Sequence, residues 1–141
     1  MTPLLKALAL SAALGLPFAA QAEETLAEAV TGYMDFATYD SGIIVPEQLD
    51  RTVFEAALFV DTRDAAQFAA GHIPGAVNIE WREVPGRLDE LPDSGMVILY
   101  CNTGSLSAQA TFAARLLGRE NVLVLQTGYD GWQAHAAYRP E

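Results

Sequence analysis

Cysteine is scarce in this chain, whose 141 residues contain only Cys101. A single cysteine excludes an internal disulfide, so in an oxidising compartment the thiol must be buried and inert, paired between chains, or used in chemistry. Histidine is almost as rare, and the two residues, His72 and His135, lie at no spacing that suggests a metal site or a base for the thiol. We therefore expect neither a metal site nor a Cys–His protease.

Positive charge is also scarce. Eight Lys and Arg residues stand against 18 Asp and Glu residues, for a formal net charge of −10. A protein that binds nucleic acid needs a basic face that neutralises phosphates, so this composition excludes nucleic acid as a partner. An acidic protein also repels small anions at long range.

Long apolar runs are missing after the first 22 residues. Residues 1–22 combine Lys6, an apolar run at 7–16 and an A-x-A ending at 20–22, which is typical of a secretory signal peptide. The run is shorter than the roughly 20 apolar residues of a transmembrane helix, which makes an uncleaved anchor the less favoured alternative. We expect cleavage after Ala22, a periplasmic or otherwise exported protein, and no stable membrane insertion after cleavage.

From residue 43 onward, apolar runs alternate with helical patterns. Short apolar or β-branched runs that predict strands lie at 43–45, 57–60, 76–79, 96–100 and 122–125. Helical patterns lie at 46–49, 63–70, 84–91, 107–117 and 130–135. Continuous apolar strands separated by helices indicate a parallel sheet covered on both faces. We predict one α/β domain over 43–141, with a central parallel sheet of about five strands flanked by helices on both faces, after a helical leader at 23–42.

Cys101 lies directly after the clearest strand and before the clearest helix, for which Ser107 is the predicted N-cap or first-turn residue. Ligands of parallel sheets bind beyond the carboxyl ends of the strands. Gly104 permits a positive φ, and a curled loop before a helix turns its amides inward towards an anion. A helix N-terminus alone contributes about 0.3–1 kcal/mol, which lowers a thiol pKa by less than one unit. Direct N–H···S contacts must supply the rest, because the loop carries no cation.

Four segments of the sequence resemble the rhodanese family. The strand end Asp61-Thr62-Arg63 and the segment 68–79, read FAAGHIPGAVNI, are similar to the family's D-x-R and F-x-x-G-H-I-P-G-A-x-N-I motifs. Residues 101–107, read CNTGSLS, resemble its active loop C-x-x-G-x-R-[SA], and 128–132, read GYDGW, its late glycine-tryptophan segment. Size, export signal and the Cys-Asn opening most resemble single-domain periplasmic rhodaneses of the phage-shock protein E type.

The resemblance implies a sulfurtransferase in which Cys101 takes a sulfane sulfur from a small donor and holds it as a persulfide. Cyanide or a protein thiol would then remove that sulfur, and a periplasmic protein is a further candidate partner. No cofactor is implied, and we expect a monomer because an intermolecular disulfide would block the site. In the family the loop amides cradle the transferred sulfur, which assigns substrate binding here to Asn102, Thr103, Gly104, Ser105, Leu106 and Ser107.

The loop departs from the family pattern at Ser105 and Leu106, where many members carry arginine or lysine. Because thiosulfate is a dianion, a neutral loop on an acidic protein predicts that thiosulfate is a poor donor. A related phosphatase activity would need an arginine six positions after Cys101, and that position is Ser107.

Three charged residues outside the loop are candidates for the pocket. Asp61 and Arg63 are interpreted mainly as a strand-end ion pair that fixes the neighbouring loops, with Asp61 near the pocket. Arg82 is the nearby cation to test for contact with a donor. The alternative function is a non-catalytic rhodanese-like binding module, or a redox sensor in which Cys101 passes to a sulfenic acid or a mixed disulfide.

Overall fold

The computed structural model of the protein describes residues 25–140. The predicted signal peptide and its cleavage site after Ala22 lie outside the described residues. Five parallel strands form one sheet in the order β1-β5-β4-β2-β3. They are β1 Ile43–Ile44, β2 Leu58–Asp61, β3 Val77–Asn78, β4 Val97–Tyr100 and β5 Val122–Leu125. The predicted parallel sheet is confirmed.

Five α-helices and three 3-10 turns accompany the strands in the described part of the chain. The helices are α1 Leu26–Phe36, α2 Arg51–Ala56, α3 Ala65–Ala70, α4 Ser105–Leu116 and α5 Gly128–His135; the turns are Pro46–Gln48, Val84–Gly86 and Leu88–Glu90. Asp50 and Asp64 begin α2 and α3, because each carboxylate accepts a hydrogen bond from a main-chain N–H of the first turn, at 2.8 and 2.9 Å. None of the helices within residues 25–140 is both long and apolar enough to span a bilayer.

Alternate side chains of the buried strands enter two separate cores, which is why the strand sequences are continuously apolar. One core contains Phe59, Ile98 and Leu125 and is covered by residues of α2, α3 and α5. The other contains Val60 and Leu99 with residues of α4 and of the 3-10 turns. Helices therefore cover both faces of the sheet, as predicted, and β4 is its central strand.

The prediction of one helix over 84–91 is wrong. The segment forms two 3-10 turns, Val84–Gly86 and Leu88–Glu90. Pro85 has no main-chain N–H to donate, and Gly86 weakens a helix by its backbone entropy, so a continuous ladder does not form. Two tight turns still bury Val84 and Leu91 in the same core.

The helix predicted to start at Ser107 begins two residues earlier, at Ser105 after Gly104. Of the two positions predicted for Ser107, the first turn is confirmed and the N-cap is wrong. Gly104 adopts a φ of 96°, a left-handed conformation that glycine reaches without steric cost. The earlier start places Ser107 inside the first turn of the helix, where its side chain is fully buried.

The leader helix α1 contacts the domain through one aromatic residue and one hydrogen bond. Tyr33 packs edge-to-face on Phe112 of α4, with 5.4 Å between ring centroids. Its hydroxyl accepts a hydrogen bond of 3.0 Å from the Nε of Arg115. The boundary between leader and domain at residues 42 and 43 stays a prediction.

Candidate active site

Cys101 is the first residue after β4, at the carboxyl edge of the sheet. Residues 101–104 connect the central strand directly to α4. The residue is 4% exposed, so solvent reaches little more than the edge of its side chain. A buried thiol at this edge is reactive only if its surroundings stabilise the thiolate.

The Cys101 sulfur accepts hydrogen bonds from its own loop. The main-chain N–H of Gly104 donates to Sγ at 3.2 Å. The hydroxyl of Ser107 lies 3.5 Å from Sγ and 3.1 Å from the carbonyl oxygen of Gly104. The sulfur therefore faces donors on the side of the helix, and no side-chain cation takes part in these hydrogen bonds.

Hydrogen-bond donors of the loop outweigh the effect of burial on the pKa of Cys101. Burial is the largest single influence and raises the pKa of the thiol, because it penalises the charged form. The hydroxyl of Ser107 and the amides of residues 107, 103 and 106 lower it, and the net pKa lies below that of an ordinary thiol. Sequence reasoning identified the amides but missed the Ser107 hydroxyl, since the hydroxyl is positioned by the earlier start of α4.

The first amides of α5 hold the carbonyl groups of the cysteine loop. The N–H of Tyr129 donates to the carbonyl of Cys101 at 2.8 Å, and the N–H of Asp130 donates to that of Asn102 at 3.0 Å. A methyl group on Gly128 would lie 2.4 Å from the Cys101 carbonyl oxygen, so only glycine permits this approach. Because α5 binds the carbonyl groups of the loop, the main-chain N–H groups of the loop are available to donate to the sulfur.

Arg63 ties the cysteine loop to the neighbouring strand β2. Its guanidinium pairs with Asp61 at 2.5 Å and donates to the carbonyl of Gly71 at 2.7 Å and to Oδ1 of Asn102 at 3.2 Å. The Asn102 amide donates in turn to Oε1 of Gln67 at 2.7 Å. The predicted ion pair is present, and it positions Asn102 directly beside the cysteine.

A cavity of about 280 Å³ opens above Cys101. The residues that line it come from the ends of β2 and β4, from α3, from the start of α4 and from the segment after β3. They are Thr62, Arg63, Asp64, Gln67, Glu80, Trp81, Arg82, Cys101, Asn102, Thr103 and Leu106. The parallel sheet brings these segments together because the carboxyl ends of its strands share one edge.

The structure brings most of the predicted site residues to this cavity. Arg63, Arg82 and the loop residues Asn102, Thr103 and Leu106 line it, and Arg82 is bound to Glu80. Asp61 does not line it but lies near it, since its carboxylate pairs with the lining residue Arg63. Its carboxylate is fully buried behind Arg63 because it neutralises that guanidinium.

The remaining predicted loop residues lie around the cavity rather than in its wall. Gly104 and Ser105 border a neighbouring groove, and Ser107 lies beneath the sulfur. Sequence reasoning missed Gln67 and Glu80, both polar and half-buried. No local signal identifies them, since each is recognised only by what it faces across the cavity.

A comparison with protein families decides the classification. The model of the rhodanese-like domain matches residues 45–135, which is most of the part of the chain that the structure describes. The chain belongs to the rhodanese-like family. The resemblance found in the sequence is thereby confirmed, and the matched range contains every residue that lines the cavity.

Individual relatives agree with this classification. A sulfurtransferase of Allochromatium vinosum is 36% identical over 81 residues, covering 57% of this chain and 76% of the relative. The thiosulfate sulfurtransferase GlpE of Pseudomonas entomophila is 33% identical over 93 residues, covering 64% of this chain and 84% of the relative. The rhodanese-like domain of an Anabaena protein superposes with a TM-score of 0.59 at 26% identity, covering 66% of this chain and 74% of that domain. The rhodanese-like domain described here thus belongs to a family that includes sulfurtransferases.

Proposed function

We propose that this rhodanese-like domain is a sulfurtransferase that carries sulfur as a persulfide on Cys101. The observation that carries the proposal is the hydrogen bond of 3.2 Å from the Gly104 amide to a sulfur at the base of an open cavity. A hydrogen bond to the charged form of a group favours that form, and the lowered pKa of the thiol agrees with this. The thiolate is the nucleophilic form of cysteine.

The first half-reaction transfers sulfur from the donor to Cys101. The thiolate attacks the outer, sulfane sulfur of a donor R–S–S⁻, and a new S–S bond forms at Sγ. The S–S bond of the donor breaks, and its electron pair leaves with R–S⁻, so no oxidant or reductant is needed. The product is Cys101–S–S⁻ and the free thiolate, the covalent intermediate of a ping-pong reaction.

The second half-reaction returns Cys101 to the thiolate. Cyanide or a protein thiolate attacks the outer sulfur of the persulfide, and the electron pair of the Cys101 S–S bond returns to Sγ. The product is thiocyanate or the persulfide of the acceptor. The hydrogen bonds from Gly104 and Ser107 stabilise the charge that reappears on Sγ, so the same groups assist both half-reactions.

The loop holds the transferred sulfur next to the amides that follow Cys101. We assign binding of the outer sulfur to the segment from Asn102 to Ser107, in which Leu106 lines the cavity and Gly104 provides the left-handed turn. Thiosulfate is the inefficient donor in this proposal, because Ser105 and Leu106 bring no positive charge to the loop.

Export belongs to the same proposal. Residues 1–22 direct the chain to the periplasm and are removed after Ala22, which leaves the leader of residues 23–42 attached to the domain. The A-x-A ending and the apolar run support this assignment. The mass of the protein recovered from the exported fraction tests it, because retention of residues 1–22 would contradict cleavage.

Mass spectrometry of the intact protein tests the sulfur transfer. After exposure to a persulfide donor, we expect Cys101 to gain the mass of one sulfur, and subsequent cyanide to remove it and release thiocyanate. The Cys101→Ser variant should gain nothing. If no donor adds sulfur to the wild-type protein, transfer is refuted, and a non-catalytic binding or redox-sensing module becomes the better description.

A further inference from the structure

The exposed cation at the mouth of the cavity is neutralised by an acidic neighbour. The Nε of Arg82 donates to both carboxylate oxygens of Glu80, at 3.0 and 3.1 Å, and its main-chain N–H donates to Oε2 at 3.0 Å. The Glu80 side chain is 22% exposed and that of Arg82 is 73% exposed, so the acid lies deeper than the base. Glu80 therefore brings a negative charge into the cavity wall and holds Arg82 at the mouth.

The other charges around the cavity do not attract an anion. The second arginine, Arg63, is neutralised by Asp61. Asp64 lines the cavity and makes no ion pair among the described residues, and its carboxylate accepts hydrogen bonds from the main chain and side chain of Gln67. The four charged lining residues, two arginines and two acids, balance one another, and the buried Asp61 behind Arg63 adds one negative charge beside a cysteine that is itself negative when it reacts.

The same wall offers apolar contacts. Leu106 is 41% exposed and lines the cavity, where the family pattern places a cation. Trp81 lines it from the segment that also supplies Glu80. A donor with a small organic substituent can bury apolar surface against these two side chains, whereas a compact dianion gains nothing from them.

We propose that Glu80 is a specificity-determining residue that selects a sulfur donor of low charge, an organic persulfide, over dianionic donors. The inference rests on the proposed sulfur transfer and adds the substrate class. Glu80 acts through Arg82 and through its own charge, and it takes no part in bond making. Removing that charge leaves the Arg82 guanidinium uncompensated at the mouth, where it attracts an anionic donor.

Two persulfides that differ in charge test the proposal. The persulfide of 2-mercaptoethanol ends in a hydroxyl, and that of 2-mercaptoethanesulfonate ends in a sulfonate on the same two-carbon chain. Their rates of sulfur transfer to Cys101, followed by intact-protein mass spectrometry, give a preference ratio for each variant. We expect the wild-type protein to favour the hydroxyl donor.

The Glu80→Gln variant removes the charge and keeps a side-chain oxygen that can accept from Arg82. We expect the preference ratio to fall about two- to fivefold at low salt, as for one exposed charge acting on another, and the rate with thiosulfate to rise. High salt should reduce the difference between the wild-type protein and the variant. Glu55→Gln is the matched control, because Glu55 pairs with the exposed Arg51 on α2, which precedes the amino end of β2 and does not line the cavity, and its loss changes the net charge equally.

The outcomes separate the two proposals. Transfer from both persulfides with the same preference ratio in Glu80→Gln and in the wild-type protein would overturn the role of Glu80 while leaving sulfur transfer intact. An equal fall in the ratio for Glu55→Gln would also overturn it, because net charge and not the cavity would then set the preference. No transfer from either donor to any variant would refute sulfur transfer itself, and this inference with it.

Discussion

Replacing Ser107 with alanine isolates one hydrogen bond to the reactive sulfur. The Ser107 hydroxyl is fully buried, 3.5 Å from Sγ of Cys101 and 3.1 Å from the carbonyl of Gly104. It has one proton and so donates to one acceptor at a time. Ionisation of the thiol favours the sulfur as that acceptor. Alanine removes the donor with little change in volume.

The expected magnitude follows from the geometry. A hydrogen bond to a charged group contributes about 1.5–3 kcal/mol. The long distance of 3.5 Å and the competition from the Gly104 carbonyl place this one at the lower end. Because 1.4 kcal/mol corresponds to about a tenfold change in an equilibrium constant, the thiolate fraction should fall about tenfold at pH values below the thiol pKa. The sign is fixed: the hydroxyl stabilises the charged form, so its loss raises the pKa.

The assay is the rate of alkylation of Cys101 by iodoacetamide as a function of pH. The wild-type rate should rise with pH and level off below the range of an ordinary thiol, and the Ser107→Ala profile should lie at higher pH. Ser105→Ala is the control, because its exposed hydroxyl lies 3.4 Å from that of Thr103 and does not contact the sulfur. A Ser107→Ala profile that coincides with the wild-type profile in a protein of unchanged thermal stability would refute the reasoning.

Three further substitutions test the loop and its supports. Gly128→Ala should lower both the rate of persulfide formation and the thermal midpoint, because the added methyl group would lie 2.4 Å from the Cys101 carbonyl oxygen. Arg63→Ala should lower the free energy of unfolding in urea by about 3–5 kcal/mol, since it leaves the fully buried Asp61 carboxylate unpaired. Leu106→Arg should raise thiosulfate-supported thiocyanate formation about fivefold in kcat/KM, as expected for a new exposed charge near a dianion.

A control variant for each of these three substitutions tests the physical cause assigned to its effect. Gly75→Ala also forces a left-handed residue, at a φ of 83°, but meets no atom within 4 Å, so a loss as large as that of Gly128→Ala would contradict the close-approach argument. Arg51→Ala breaks an exposed pair and a contact with the Tyr138 ring, and should lower the free energy of unfolding by at most about 2 kcal/mol. An equally small cost for Arg63→Ala would mean that its pair with Asp61 is not effectively buried. Leu106→Met keeps the loop neutral, and a gain there equal to that of Leu106→Arg would remove charge as the explanation.

The sheet was predictable because burial on both faces leaves a direct mark on the sequence. Residues 97–100 and 122–125 are apolar without interruption, and each became a strand with its side chains in both cores. The left-handed turn at Gly104 was predictable for a similar reason, since glycine reaches that conformation without a steric penalty.

Helix ends and short turns were less predictable because several local conformations have similar free energies. The apolar spacing at 84–91 fits a helix, yet the proline and glycine near its start left two 3-10 turns as the structure that buries Val84 and Leu91. The start of α4 was misplaced because serine is a common N-cap, whereas here the packing of Gly104 against residues 125 and 127 sets the first turn.

The sequence by itself determined that one thiol would stand at the end of a buried strand, in a small neutral loop before a helix. Composition and motif decide the position of Cys101, because apolar runs form strands and each family motif is a short continuous stretch of the chain. Only the tertiary structure decided which groups face that thiol: the Ser107 hydroxyl beneath it, the α5 amides on its loop, and Glu80 with Arg82 across the cavity. The Ser107 hydroxyl is positioned locally by the start of α4. The other contacts join segments distant in sequence, and they arise because a parallel sheet gathers the carboxyl ends of separate strands at one edge.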